Sequence, residues 1–349
     1  MIVSGFEGTT LNTRTEELIV QQGIGGLILF ERNYENPDQL RQLINDLQSL
    51  TADNVPPLFI SVDQEGGRVA RLGAPFTQFP PMSCLGQADS NELAYRFGFG
   101  MGKELRAVGV NMDYAPVLDV HSNPANPIIG HRALDSEAEK VARLGAEMIR
   151  GFYNAGVIPV GKHFPGHGDT SQDSHLTLPR VERSRESLEQ IELPPFSHAI
   201  EKGLEVLMTA HVVYPSWDAD RPATFSPAIL KDVLRNTLRF EGLVMSDDLE
   251  MQAIKDKMEA IPEMGVQAGV DIFLICHDLE KVNTLQDSMI RDIESGKIPR
   301  TAIDKSLERI FKVKQRLQVS VDDNPSLKDI LEENKRLAQE MRTFSKNEP

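Results

Sequence analysis

Cysteine is nearly absent: Cys84 and Cys276 are the only two in 349 residues. A single pair cannot build a disulfide framework, and it suits a reducing compartment. Positive charge is also short, with 37 Lys and Arg against 52 Asp and Glu and a formal charge of -15. Nucleic acid and anionic membrane surfaces would be repelled at long range, so neither is expected as a partner, whereas a small neutral substrate is unaffected. No apolar run approaches the length of a membrane span. The opening MIVSGFEGTT has no basic segment leading into an apolar one, so no secretory leader is expected and the reading is cytoplasmic. There is no internal repeat beyond a strand–helix cadence, and no low-complexity tract.

Apolar residues make up 40% and charged residues 26%, ordinary values for a soluble globular chain with a sizeable core. The length suggests two domains, unless the fold is an α/β barrel, which closes about 250 residues around one core. Eight short apolar runs decide for the barrel: Ile2–Gly5, Gly26–Phe30, Leu58–Val62, Val110–Tyr114, Val157–Gly161, Val206–Ala210, Leu243–Met245 and Ile272–Cys276. Several lack polar alternation, as parallel strands covered on both faces do. Between them lie helical periods: Leu40, Leu43, Ile44 and Leu47 mark one apolar face, and Leu93, Phe97, Met101 and Leu105 another. Ser136 with Glu139 reads as a capping box opening a helix that turns Val141, Leu144 and Met148 inward. The alternation predicts an α/β fold, a single (β/α)8 TIM-type barrel over 1–320 with extra C-terminal helices. Residues 321–349 form a linker and a charged helix, packed on the barrel or frayed. A Rossmann sheet would want a glycine-rich fingerprint after the first strand, and GFEGTT is not one.

Charged residues gather just after the strand candidates, the end where barrel enzymes keep their sites. Asp63-Gln-Glu-Gly-Gly-Arg68-Val-Ala-Arg71 follows the third strand, and Asp113 with a loop reaching Arg132 follows the fourth. Lys162-His163-Phe-Pro-Gly-His167-Gly-Asp169 and Asp173-Ser-His175 follow the fifth, His211 the sixth, and Ser246-Asp247-Asp248 the seventh. Each has a bland alternative. Glu65 or Asp248 could cap a helix, Arg68 could sit in a core ion pair, and His211 could be a hydrogen-bonded histidine in the barrel mouth. Five clusters at five successive strand ends favour catalysis over that set of coincidences. The i, i+4 spacing of His163 and His167 invites a zinc reading, but Pro165 and Gly166 between them disfavour a helix, so no metal or other cofactor is expected.

At these residues the chain resembles glycoside hydrolase family 3, in its bacterial β-N-acetylglucosaminidase (β-hexosaminidase) branch of the NagZ type. The matching pieces are DQEGGRVARL from Asp63, NPIIGHRAL from Asn126, GKHFPGHGDTSQDSH from Gly161, MTAHVVYP from Met208 and FEGLVMSDDLEM from Phe240. The likeness runs from GGLILFERN at Gly25 to the eighth strand. It implies Asp247 as nucleophile, His175 as general acid/base paired with Asp173, and Asp63, Arg71, Arg132, Lys162 and His163 as sugar-binding residues. His211 is a further site candidate. The family's two-domain glucosidases draw a carboxylate acid/base from another domain, for which this chain is too short; it carries the D-x-H signature instead.

Glycosidic cleavage needs protonation of the leaving oxygen and stabilisation of an oxocarbenium-like centre. Asp247 at a strand end can attack C1 and form a glycosyl-enzyme, dividing one displacement into two with retention. An imidazole can donate and then accept the proton near neutral pH, with Asp173 fixing its tautomer. A mobile Gly168–Ser174 loop would bring that pair over the bond. In a rival, amide-assisted mechanism the substrate's acetamido oxygen attacks and Asp247 only polarises it. The expected activity is exo-hydrolysis of terminal β-linked GlcNAc from a disaccharide or muropeptide, which the resemblance extends to GlcNAc-1,6-anhydro-MurNAc in peptidoglycan recycling. A monomer suffices. The alternatives are a β-glucosidase or dual-specificity glycosidase, a β-GlcNAc phosphorylase, and, remotely, a non-catalytic sugar-binding barrel.

Overall fold

A computed structural model describes residues 1–51, 55–171, 178–254, 257–317 and 326–345. Eight parallel strands occur in the expected order: Ile2–Ser4, Gly26–Leu29, Phe59–Val62, Met112–Asp113, a fifth in two pieces, Val206–Thr209, Leu243–Asp248 and Ile272–Ile275. The fifth is Ile158–Pro159 and Gly161–Phe164. The first piece pairs with the fourth strand and the second with the sixth, while the first and eighth strands pair directly, so the sheet comes round on itself. The α/β barrel expected from the cadence is the fold.

The interior is a layer of apolar side chains in which Val3, Ile28, Phe59, Met112, Ile158, Val206, Met208, Met245 and Leu274 meet. This filled core explains why the strands read as unbroken apolar runs. Ile310, Val313 and Leu317 join the same cluster from the helix Arg300–Lys314 and its end. Lys314 Nζ donates to the carbonyls of Gly25 and Pro57, which precede the second and third strands, at 2.8 and 2.7 Å. This helix therefore plugs the N-terminal end of the barrel and leaves the C-terminal end open.

The helices bury the faces their periods indicate. Pro37–Ser49 buries Leu40, Leu43, Ile44 and Leu47, and Asn91–Ala107 buries Leu93, Phe97, Met101 and Leu105. Three further helices follow the eighth strand, Leu279–Glu294, Arg300–Lys314 and Leu327–Arg342. The last lies on Asn91–Ala107, where Asn334 donates to the Gly100 carbonyl and to Glu104, both at 2.8 Å.

Two local expectations fail. The Ser136–Glu139 capping box does not form: the helix runs Ala138–Asn154 with no side-chain cap. Asp135 Oδ1 takes the amides of Ser136 and Glu137 instead, at 2.8 and 3.1 Å, moving the start downstream. The seventh strand extends beyond Met245 through Asp248, with a register irregularity between them, so Asp247 belongs to the strand's own end.

Candidate active site

The strand ends surround a cavity of about 230 Å³, lined among others by Phe30, Asp63, Glu65, Arg71, Arg132, Lys162, His163, Asp247, Asp248 and His277. It is smaller than the pockets that enclose drug-sized ligands, and on the scale of a single sugar ring. Five of the strand-end candidates (Asp63, Arg71, Lys162, His163 and Asp247) and Arg132 from the loop after the fourth strand are thus brought together.

An ion-pair network built across the third and fifth strands forms one wall. Lys162 Nζ lies 2.7 Å from Asp63 Oδ1 and 2.6 Å from Glu65 Oε1. Arg132 grips Glu65 with two bonds of 2.8 Å, from Nε to Oε2 and from Nη2 to Oε1. Burial alone would raise Glu65, but Arg132 and Lys162 outweigh it and hold its carboxyl well below the usual range. Burial likewise opposes charge on Lys162, and Asp63 and Glu65 overcome it. Arg71 is looser, 3.9 Å from Asp63 Oδ2. Fixed charges of this kind can act on a neutral polar ligand as charge-assisted donors and acceptors with little reorganisation.

Glu65 is no helix cap. It sits on the strand Gln64–Gly66 of a short hairpin and is the hub that orients Arg132 and Lys162. Among the described residues Arg68 makes no core ion pair; its guanidinium donates to the Ile128 carbonyl. Asp113 is fully buried and accepts from the Gln64 amide at 3.0 Å, so it supports the hairpin from below. Asp248 caps no helix either: its Oδ1 takes the Glu250 amide at 3.1 Å within the turn that follows the strand.

Asp119, overlooked in the sequence, anchors the second wall. It is fully buried, and its Oδ2 lies 2.7 Å from His163 Nδ1. Its Oδ1 takes the amides of His163 and His167 at 3.1 and 2.7 Å. Burial opposes its charge, but His163, His167 and these amides hold its pKa below the ordinary value. The carboxylate can only accept, so His163 Nδ1 carries a proton there and Nε2 is left toward the cavity. Asn126 explains why NPIIG and HFPGHG occur together: its Nδ2 donates to the carbonyls of His167 and Gly168 at 2.9 and 3.0 Å. Its Oδ1 accepts from the amides of Ile128 and Ile129, both at 2.8 Å. Gly168, Asp169 and Thr170, the start of the loop expected to be mobile, are each tied by such bonds. Asp173 and His175 lie outside the described residues.

Asp247 and Asp248 stand side by side at the end of the seventh strand and differ in charge. Burial disfavours ionised Asp247, but His163, His211, the Asp248 amide and Lys162 outweigh it and lower its pKa. Its Oδ1 accepts the Asp248 amide at 2.8 Å. Burial, with the charges of Glu250 and Asp247, pushes Asp248 up to about 7. His211 is fully buried and lies behind this turn rather than on the cavity wall, its Nε2 3.0 Å from the Asp248 carbonyl. It is a hydrogen-bonded histidine held between Thr224 and the Asp248 carbonyl.

Comparison with known proteins agrees with this geometry. Residues 3–313 match the glycosyl hydrolase family 3 N terminal domain. A β-hexosaminidase of Nitrosomonas eutropha is 40% identical over 290 residues, covering 81% of this chain and 82% of that one. The solved family 3 β-N-acetylglucosaminidase of Paenibacillus sp. str. FPU-7 superposes with a TM-score of 0.92 at 40% identity, over 99% of this chain and 67% of that one. NagZ of Neisseria gonorrhoeae, solved with N-trifluoroacetyl-D-glucosamine, gives 0.81 at 31% identity over 97% of both chains. With its cavity of paired charges at the strand ends and these relatives at full barrel length, the chain is a glycoside hydrolase and belongs to family 3.

Proposed function

We propose that the protein is a retaining exo-β-N-acetylglucosaminidase that removes terminal β-linked GlcNAc by double displacement. The observation that carries this reading is the division of labour at the end of the seventh strand: Asp247 is held ionised at the cavity while neighbouring Asp248 keeps its proton to about pH 7. A carboxylate that must attack C1 needs its charge, and environments that push two adjacent acids apart mark the roles. Asp247 is the nucleophile. Asp63, Arg71, Arg132, Lys162 and His163 bind the sugar, and His175, oriented by Asp173, protonates the leaving oxygen and later activates water. The sugar assignment draws on the relatives, whose names specify hexosaminidase or N-acetylglucosaminidase. A muropeptide fragment such as GlcNAc-1,6-anhydro-MurNAc, met in the cytoplasm during peptidoglycan recycling, is the proposed natural substrate. Two buried, unbridged cysteines suit that compartment.

The test is a panel of aryl β-glycosides, GlcNAc against glucose, with and without phosphate. GlcNAc turnover independent of phosphate is expected, falling at least about 10³-fold in Asp247→Ala. Preference for glucoside, or a phosphate requirement, replaces the substrate or acceptor; undiminished Asp247→Ala removes the mechanism.

A further inference from the structure

Behind the cavity Thr209, Thr224 and His211, none of which lines it, form a chain of hydrogen bonds that ends on the Asp247–Asp248 turn. Thr209, at the end of the sixth strand, has its Oγ1 2.9 Å from Thr224 Oγ1. Thr224 Oγ1 in turn lies 2.7 Å from His211 Nδ1. His211 Nε2 is 3.0 Å from the Asp248 carbonyl oxygen, and the amide of the same residue donates to Asp247 Oδ1 at 2.8 Å. Thr209, His211 and Thr224 are each fully buried.

The proton positions follow from chemistry. A carbonyl only accepts, so His211 carries hydrogen on Nε2. Burial lowers the pKa of His211, which leaves the ring neutral and its Nδ1 an acceptor. The Thr224 hydroxyl then donates to Nδ1 at 2.7 Å in preference to its longer contact with the Ala210 carbonyl at 3.2 Å, and its oxygen is open to the hydroxyl of Thr209. Every donor points the same way, toward Asp248. A neutral histidine without the Thr224 donor could flip tautomer, presenting a bare Nε2 lone pair to a carbonyl oxygen. That contact is repulsive, and the turn that aims the Asp248 amide at Asp247 would lose its anchor.

We infer that Thr224 and His211 are positioning residues for the nucleophile: Thr224 fixes the His211 tautomer, and His211 fixes the turn that holds and orients the Asp247 carboxylate. The inference rests on Asp247 as nucleophile. Thr224 sits in the short 3-10 helix Ala223–Phe225, outside every motif by which the site is recognised. Its role is therefore tied to the hydroxyl and not to any contact with sugar.

The experiment uses the full-length enzyme and an activated aryl β-GlcNAc substrate, measuring kcat and KM for the wild type, Thr224→Val, Thr224→Ser and Asp247→Ala. Thr224→Val keeps the shape and deletes the hydroxyl; it is expected to lower kcat about tenfold, the effect of one well-placed hydrogen bond, with KM within twofold. Thr224→Ser restores the hydroxyl and is expected to return kcat to near the wild-type value. His211→Gln covers the case of a poorly folding valine variant: it is expected to lose kcat selectively, and Thr224→Ser in that background is expected to change nothing further. Wild-type kcat in folded Thr224→Val overturns the inference, as does a serine variant as impaired as the valine one. An inactive Asp247→Ala beside an unimpaired Thr224→Val defeats the positioning role alone. An active Asp247→Ala defeats the nucleophile reading and this inference with it.

Discussion

Asp247, half-buried at the cavity, and Glu192, fully buried, are carboxyl groups whose surroundings drive them in opposite directions. Asp247 meets two imidazoles, an amide and a lysine, and ionises. Glu192 meets the Ser122 hydroxyl at 3.1 Å, and among the described residues its Oε2 has no hydrogen-bond partner. Burial, with the nearby charge of Asp119, pushes Glu192 up to about 8. Linkage then sets a pH dependence for stability. Below the ordinary glutamate pKa both the folded and unfolded states hold the proton, and the fold keeps the full benefit. From there up to about 8 the unfolded chain ionises while the native carboxyl does not, so this site's contribution falls as pH rises. Glu192→Gln removes the titration. Its melting temperature relative to wild type is expected to increase from pH 5 to pH 8 by several degrees; a constant difference would mean that Glu192 is ionised in the fold.

Among the elements, the contact between the helices Asn91–Ala107 and Ala138–Asn154 shows what the hydrophobic period leaves out. Leu93, Phe97 and Met101 announce the buried face, but the closeness of approach is set by glycines. A Cβ on Gly98 would stand 2.2 Å from the Met148 carbonyl oxygen, and one on Gly151 2.4 Å from that of Tyr95. Alanine in a helix is ordinarily better than glycine by about 1 kcal/mol. Here the overlap with rigid backbone outweighs that gain, and Gly98→Ala is expected to destabilise by about 1–3 kcal/mol in denaturant melts. Much of the element order was legible because the barrel strands are covered on both faces and leave plain apolar runs. The missed features are single polar residues inside such runs. Asp119 within Val117–Val120, and Thr224 after a surface hairpin, have no periodicity; only the partners brought to them across the fold give them meaning. Asp135 took the amides ahead of the helix that an expected Ser136 cap would have organised, because two suitable acceptors one residue apart are equivalent in sequence.

For the whole molecule, the two ends of the barrel carry different work. At the N-terminal end Asp271 is buried and accepts from Ser306 Oγ at 2.6 Å and from Arg309, Arg235 and the Val244 amide at 3.0 Å each. This hub locks the plugging helix under the strands. Asp271→Ala leaves these donors without their acceptor and is expected to cost about 3–5 kcal/mol of stability, while the folded fraction keeps its kcat. Equal losses of stability and kcat would show that the two ends are coupled. At the opposite end the charges face the cavity, and there a substitution should change rate first.

The central claim is that Asp247 attacks the anomeric carbon. Incubating the enzyme with an activated fluorinated GlcNAc donor that slows breakdown of the intermediate, followed by peptide mass mapping, addresses it directly. One sugar attached to the peptide bearing Ser246-Asp247-Asp248, localised to Asp247 and absent from Asp247→Ala, is the expected result. Rapid turnover of the donor with no adduct, or an adduct on Asp248, contradicts the account.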